Sequence, residues 1–219
     1  MSYFGDIMLI SRLRNRKNLN KGIERGFAVS CKDAHLYYFD LETEGEDPKQ
    51  HGIITIQYAK LCLEDSQLEP LSNIEILKVW ERGSEKELIE KFLEVSEFFN
   101  CLFCFIPVGV ALIFDILFLC ERAKIHGLLD KDLDCGMFLH EKPLIDFKPI
   151  FILLNDFRFK DWNKLIDRFM RIGISSRDVP ELYKSRDFNK IIDYIIDEFK
   201  ATLEAINNVI RIFKPLPKQ

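Results

Sequence analysis

His35-Leu-Tyr-Tyr-Phe-Asp-Leu-Glu-Thr-Glu-Gly45 is the stretch whose reading decides the fold. An apolar run, Leu36 to Phe39, ends in Asp40, and a second carboxylate follows at Glu42. In an extended strand, side chains two apart point to the same face, so Asp40 and Glu42 stand side by side while Leu41 turns the other way. Adjacent carboxylates at the end of a hydrophobic strand repel one another, and a divalent cation bound by hard oxygen ligands relieves the repulsion. Acids at strand ends are also common as solvated loop residues. The pair therefore takes its meaning from acids elsewhere in the chain.

Downstream of a turn rich in Gly, Glu, Asp and Pro (Glu44 to Pro48), His51 to Leu63 carries Ile53, Ile54, Ile56, Tyr58 and Leu61. This β-branched and aromatic composition predicts a strand antiparallel to the first. Asn73 to Glu81 repeats the theme with Ile74, Ile76, Lys78 and Trp80, giving a three-stranded meander. From Ser84 to Phe99 the apolar residues recur three and four apart, with Ser84 as N-cap and Glu87 completing a capping box, so a helix is predicted. Cys101 to Asp115 is almost continuously apolar, as in a strand buried on both faces of a sheet, and it too ends in an acid. Ile116 to Gly127 has helical spacing and stops at glycine, which puts Asp115 at or near a strand-to-helix junction, where capping that helix is its simplest role.

Leu128 to Pro143 reads as a polar loop, and Leu144 to Leu154 as a short strand passing into a helix. Asp161 to Arg171 reads as a short amphipathic helix. Asp187 to Lys214 gives the longest helix, with Ile191, Ile192, Ile195, Ile196, Phe199, Leu203, Ile206, Val209 and Ile210 on one wide stripe, and Pro215 and Pro217 beyond it. A meander followed by alternating helices and strands predicts an α/β domain: a mixed β-sheet with helices on both sides.

At 219 residues, 47% hydrophobic and 30% charged, the chain suits one domain, 1–219, with residues 1–32 forming a basic N-terminal segment. Between Arg12 and Lys32, Arg12, Arg14, Arg16, Lys17, Lys21, Arg25 and Lys32 gather against Glu24 alone, an excess that fits either a phosphate contact or a solvated loop. The net charge of −4 argues against a protein that coats nucleic acid through bulk electrostatics. Neither a membrane-spanning run nor a cleavage-site pattern is found, so a cytoplasmic location without membrane partners is expected. The six cysteines lie mostly in apolar segments and read as small hydrophobes in a reducing compartment. Cys101 and Cys104 have redox or zinc spacing, but no second pair completes four ligands, and core packing is the simpler reading.

Three acidic stations thus fall at Asp40/Glu42, at Asp115, and in the last helix, where Tyr194, Asp197 and Glu198 sit. Their order resembles the DEDD superfamily of 3′–5′ exonucleases on the ribonuclease H-like fold. Within it, the chain looks like stand-alone archaeal relatives of the proofreading domain of family B DNA polymerases. The first motif is matched by Phe39-Asp40-Leu41-Glu42-Thr43. The second is matched by Val108 to Leu119, followed by Glu121-Arg122-Ala123 and His126-Gly127. The third, a tyrosine followed four residues later by a carboxylate, is matched by Tyr194 and Glu198. The asparagine usual four residues before the second-motif Phe is Val110 here, and Glu198 stands where aspartate is usual, with Asp197 as the alternative.

The resemblance covers roughly residues 36 to 210 and implies a two-metal-ion site for Mg²⁺ or Mn²⁺, since oxygen-only ligands argue against zinc. It implies that Asp40 bridges both ions, that Glu42 and Glu198 complete the site that activates water, that Asp115 holds the other ion, and that Tyr194 orients the attacking water. The implied reaction is hydrolysis of single-stranded nucleic acid, DNA favoured over RNA, to nucleoside 5′-monophosphates. Repair, replication and RNA turnover remain open as its setting, as does a homo-oligomer enclosing the strand. Read without the resemblance, Glu198 fits a solvated helical face and Tyr194 the core with its hydroxyl at the rim. A ribonuclease on the same fold, or a nucleic-acid-binding module that has lost catalysis, stands as the alternative. Asp146 and His140 have no defined role at this level.

Overall fold

The computed structural model of the protein describes residues 35–64, 67–158 and 163–213, so the basic N-terminal segment and Pro215 and Pro217 lie outside the described residues. The first strand, β1 (Leu36–Thr43), pairs antiparallel with β2 (Ile53–Glu64), with Asp40 opposite Gln57 and Glu42 opposite Thr55. Two short strands, β3 (Gln67–Pro70) and β4 (Glu75–Lys78), both pair with β2, on its second and first halves. On the other side of β1, β5 (Ile106–Gly109) runs parallel to it and is followed by β6 (Ile145–Asp146). The order along the sheet is β3-β2-β1-β5-β6, with β4 off this path beside β2.

β1 is central, and its alternation sorts the molecule into two layers. Phe39 and Leu41 point into a core with Ile56, Leu88, Phe92, Phe98, Phe105, Leu112 and Ile116. That core is roofed by α2 (Glu85–Ser96) and α3 (Leu112–Ile125). Tyr38 points to the opposite face, where it packs on Phe199 of the long helix α8 (Phe188–Phe213), with ring centroids 4.8 Å apart. The β1–β2 register shifts between Glu42 and Thr43, and this irregularity reverses the alternation at the start of β2: Ile53 packs in the same layer as Ile56, with α2 and α3, and Ile54 packs with α8. The result is a mixed α/β fold of the ribonuclease H-like kind, a curled mixed sheet flanked by helices. No described helix is long and apolar enough to cross a membrane.

Several elements differ from the reading by pattern. The apolar run Cys101 to Asp115 is three structures: a turn, the four-residue β5, and the start of α3. Continuous hydrophobicity does not distinguish a buried strand from a buried helix. The strand stops where Gly109 passes so close to β1 that a methyl group on it would meet the Phe39 carbonyl oxygen at 2.8 Å. Two residues later Ala111, left-handed at φ 64°, turns the chain into α3. Asp115 therefore lies inside the first turn of α3 and does not cap it. After β4 the chain forms a one-turn helix, α1 (Val79–Arg82), before Ser84, whose hydroxyl accepts from the Glu87 amide at 3.2 Å as the N-cap of α2. The stretch expected as loop contains α4 (Cys135–Glu141), capped by Asp134, and β6 leads into α5 (Lys148–Leu154) as expected. Within Asp161 to Arg171 the described helix is only α6 (Lys164–Asp167), and α7 (Val179–Lys184) precedes α8.

The cysteines depart from the sequence reading most plainly. Cys101 is bonded to Cys104 and Cys120 to Cys135, so these four are cross-links and not separate apolar side chains. Cysteine spacing does not reveal that α4 docks on α3, which is what brings Cys135 to Cys120. The turn holding Cys101–Cys104 is further tied by buried Lys142, whose ammonium donates to the carbonyls of Phe98 (2.9 Å) and Cys101 (3.1 Å).

Glu85, at the start of α2, joins three elements. Its carboxylate accepts from the Ile53 amide on β2 (2.8 Å), from Arg122 Nε (2.8 Å) and a second Arg122 nitrogen on α3, and from His126 Nε2 (2.8 Å). Burial alone raises its pKa, but the Arg122, His126 and Ile53 contacts outweigh that and hold it below the ordinary value. Removing one member of such a half-buried pair strands the other charge. Arg122→Ala is expected to destabilise the fold by about 3 kcal/mol, measured by urea unfolding, and Glu85→Gln/Arg122→Ala by less than the sum of the single changes.

Candidate active site

The face of β1 opposite the aromatic core carries Tyr38, Asp40 and Glu42, and α8 crosses it with Tyr194 and Glu198. Carboxylate oxygens of Asp40, Glu42 and Glu198 lie within 4.8 Å of one another. Positions 194 and 198 are one helical turn apart and share a face, which sets the Tyr194 hydroxyl beside the Glu198 carboxylate. Asp115 enters from the first turn of α3 and is 3% exposed, close enough to Asp40 and Glu198 for their charges to act on it. Its oxygens are not part of the tight group of three. The two layers thus contribute to one cluster: β1 supplies two acids, α8 one, and α3 the fourth.

Asp197 faces elsewhere. Its Oδ2 accepts from the backbone amides of Arg171 (2.6 Å) and Ile172 (2.9 Å), anchoring the segment between α6 and α7 to α8. Of the two adjacent acids in the last helix, Glu198 is the one directed at Asp40 and Glu42. His140, on α4, is exposed.

Asp40 Oδ2 accepts from Gln57 Nε2 at 3.0 Å, and the Leu41 amide and Tyr38 hydroxyl nearby also act to lower its pKa. Asp146 supports the approach to Asp115, because its Oδ1 accepts from the Ala111 amide (3.0 Å) and the Lys148 amide (2.9 Å) and so braces the left-handed turn that starts α3. In the sequence Asp146 stands out without a defined role, and Gln57 and Tyr38 do not stand out. For Gln57 the signal was present: a polar residue inside the run Ile53 to Leu61, opposite Asp40 in an antiparallel register.

Bringing these groups together is electrostatically costly. Burial, opposed by the Gln57, Leu41 and Tyr38 hydrogen bonds, raises the Asp40 pKa to about 6. Burial and then the Asp40 charge raise that of Glu198 to about 8. Glu42 and Asp115 are pushed well above the carboxylate range, by burial first and then by their acidic neighbours. Tyr194 is likewise raised by burial and by Glu42, Glu198 and Asp40, so it keeps its proton and remains a donor. The oxygens of Glu42 and Glu198 lie within 4.8 Å of each other, and the Glu198 charge is the first cause after burial that raises the Glu42 carboxyl. Two buried oxygens, Asp115 Oδ2 and Glu198 Oε2, have no hydrogen-bond partner. Convergent, partly unpartnered carboxylate oxygens are the donor set that Mg²⁺ or Mn²⁺ takes, and the cluster fits such ions.

Comparison with known proteins gives a likeness of shape. No protein-family model matches the chain, and no curated protein matches it by sequence. Among solved structures, Escherichia coli Exonuclease I in complex with a dT13 oligonucleotide aligns at a TM-score of 0.43 and 13% identity, covering 82% of this chain and 42% of that one. A moderately thermophilic Exonuclease I from Methylocaldum szegediense aligns at 0.40 and 13%, covering 83% of this chain and 41% of that one. The chain thus spans less than half of either structure. At these values the likeness adds nothing to the reading of the site, which rests on its own side chains.

Folded-state pKa values above the ordinary carboxylate range favour the metal-free fold when the acids are protonated. That contribution is complete below about pH 4 and is lost as pH rises through about 6 for Asp40 and about 8 for Glu198. The Tm of EDTA-treated protein is therefore expected to fall between pH 5 and 9, with Mn²⁺ restoring more of it at pH 8 than at pH 5. Asp40→Asn should raise the metal-free Tm at pH 8 by on the order of 5 °C and flatten the pH dependence. Asp197→Ala, in contrast, leaves two backbone amides without their acceptor and should lower stability by about 1–3 kcal/mol while Mn²⁺ binding, read by calorimetry, persists.

Proposed function

We propose that this protein is a divalent-metal-dependent 3′–5′ exonuclease that hydrolyses single-stranded nucleic acid, with DNA favoured, to nucleoside 5′-monophosphates. The observation that carries the reading is the convergence of Asp40, Glu42 and Glu198 oxygens within 4.8 Å, with buried Asp115 beside them. Nothing in the packing of the core calls for gathering four acids at one place, Glu42 and Asp115 buried and Asp40 and Glu198 half-buried. The direction of degradation and the preference for DNA rest on the motif resemblance.

In this reading Asp40, Glu42, Glu198 and Asp115 would hold the divalent ions, Asp40 from the centre of the cluster, Glu42 and Glu198 on the side that activates water, and Asp115 on the other. Two divalent ions bound there would supply Lewis acidity to the scissile phosphate, to an attacking water and to the departing 3′ oxygen. Tyr194 stays protonated, and its hydroxyl beside Glu198 would orient the attacking water. Glu198 stands where the resembled family usually has aspartate, and its oxygen lies within 4.8 Å of those of Asp40 and Glu42, so the longer side chain reaches the cluster from α8. That reach favours a working site over a lapsed binding module.

The test is a 5′-labelled single-stranded DNA, its RNA counterpart and a duplex, each incubated with Mn²⁺, Mg²⁺ or EDTA. A ladder shortening from the 3′ end, dependent on metal and absent with Asp40→Ala, is expected, with duplex a poor substrate. Tyr194→Phe should retain metal binding and lower kcat about 10- to 100-fold, as loss of a contact that orients a metal site commonly does. Failure of the folded protein to cleave any of the three substrates would overturn the proposal.

A further inference from the structure

Gln57 and Thr55 are both fully buried polar residues on β2, two apart and therefore on one face, and the strand register sets them opposite Asp40 and Glu42. They form a directed chain. The Thr55 hydroxyl donates to Gln57 Oε1 at 3.0 Å, and Gln57 Nε2 donates to Asp40 Oδ2 at 3.0 Å. A side-chain amide has an oxygen end and a nitrogen end, and which one meets Asp40 matters, because an oxygen there would repel the carboxylate. The Thr55 hydroxyl decides this by occupying the oxygen end. A buried amide without partners is costly, and an apolar residue would fill the space at less risk to the fold. The polar pair therefore has a task beyond packing.

We propose that Thr55 and Gln57 are positioning residues, a relay that fixes the orientation of the Asp40 carboxylate so that it can be shared between two cations. The proposal rests on the functional reading above and extends it to residues that touch neither metal nor substrate. Asp40 is a short side chain at the centre of the cluster, with one flexible torsion governing where its two oxygens point. Gln57 holds one of them from the sheet side, and rotation of the carboxylate would break that bond. The neutral donor does this without adding a counter-charge that would compete with a cation, as a lysine at the same place would.

The experiment uses the full chain and four variants: Gln57→Met, which keeps the length and removes both ends of the amide; Gln57→Glu, which keeps the shape and removes the donor; Thr55→Val, which keeps the shape and removes the hydroxyl; and Thr55→Ser, which keeps the hydroxyl. Folding is checked by circular dichroism and Tm, Mn²⁺ affinity by calorimetry, and kcat and KM on a single-stranded oligonucleotide. The relay predicts a 10- to 100-fold loss in Mn²⁺ affinity or kcat for Gln57→Met, with KM for the oligonucleotide within about twofold. Gln57→Glu should lose at least as much, Thr55→Val should lose less in the same direction, and Thr55→Ser should restore the parent values. Folded Gln57→Met and Thr55→Val proteins that bind Mn²⁺ and turn over like the parent would overturn the relay alone. A parent protein that binds no Mn²⁺ would overturn the functional reading and the relay with it.

Discussion

Everything in this molecule follows from how β1 divides its side chains. Phe39 and Leu41 anchor one layer, and Tyr38, Asp40 and Glu42 face the other. The apolar side is exceptionally aromatic: Phe39 lies within 5.3 to 5.9 Å, centroid to centroid, of Phe92, Phe98 and Phe105. Such a packed layer does not tolerate rotation or slippage of the strand, because a one-residue shift would put Asp40 among phenylalanines. The hydrophobic layer therefore holds the acids in place, although they repel one another.

That repulsion is the second half of the same constraint. Without a cation the cluster is satisfied only by retaining protons, as the raised Asp40, Glu42 and Glu198 values express. The fold stores this unfavourable term at one place and is braced around it. Glu85 ties α2, β2 and α3 together through Arg122, His126 and the Ile53 amide. Asp197 secures the approach to α8, and Asp146 secures the turn before Asp115. Strain concentrated in a braced cluster of perturbed carboxylates marks a candidate functional site.

The same bracing explains why polar residues appear inside otherwise apolar elements. Thr55 and Gln57 interrupt β2, and Tyr194 is 2% exposed in the apolar stripe of α8. Gln57 donates to Asp40, Thr55 donates to the Gln57 amide oxygen, and Tyr194 lies beside Glu198. Arg122 and His126, which belong to the stretch resembling the second family motif, instead serve the Glu85 anchor at the far end of α3. Residues that resemble one motif can thus do two physically separate things, one at each end of a helix.

The sequence by itself determined the local facts. The period-two pattern sets Asp40 and Glu42 on one face, the three-and-four spacing makes α2 and α8 helical, Ser84 caps α2, and Tyr194 and Glu198 share a helical face. These depend on interactions a few residues long, so they can be read from the chain. Only the tertiary structure decided that Glu198 and not Asp197 turns toward β1, because that depends on the rotation of α8 against the sheet and on the Arg171 and Ile172 amides that claim Asp197. It also decided that the apolar run after Cys101 splits into turn, strand and helix, that Cys135 reaches Cys120 across two helices, and that Gln57 meets Asp40. Each of these depends on which distant surfaces come together, and hydrophobicity along the chain carries no record of that choice.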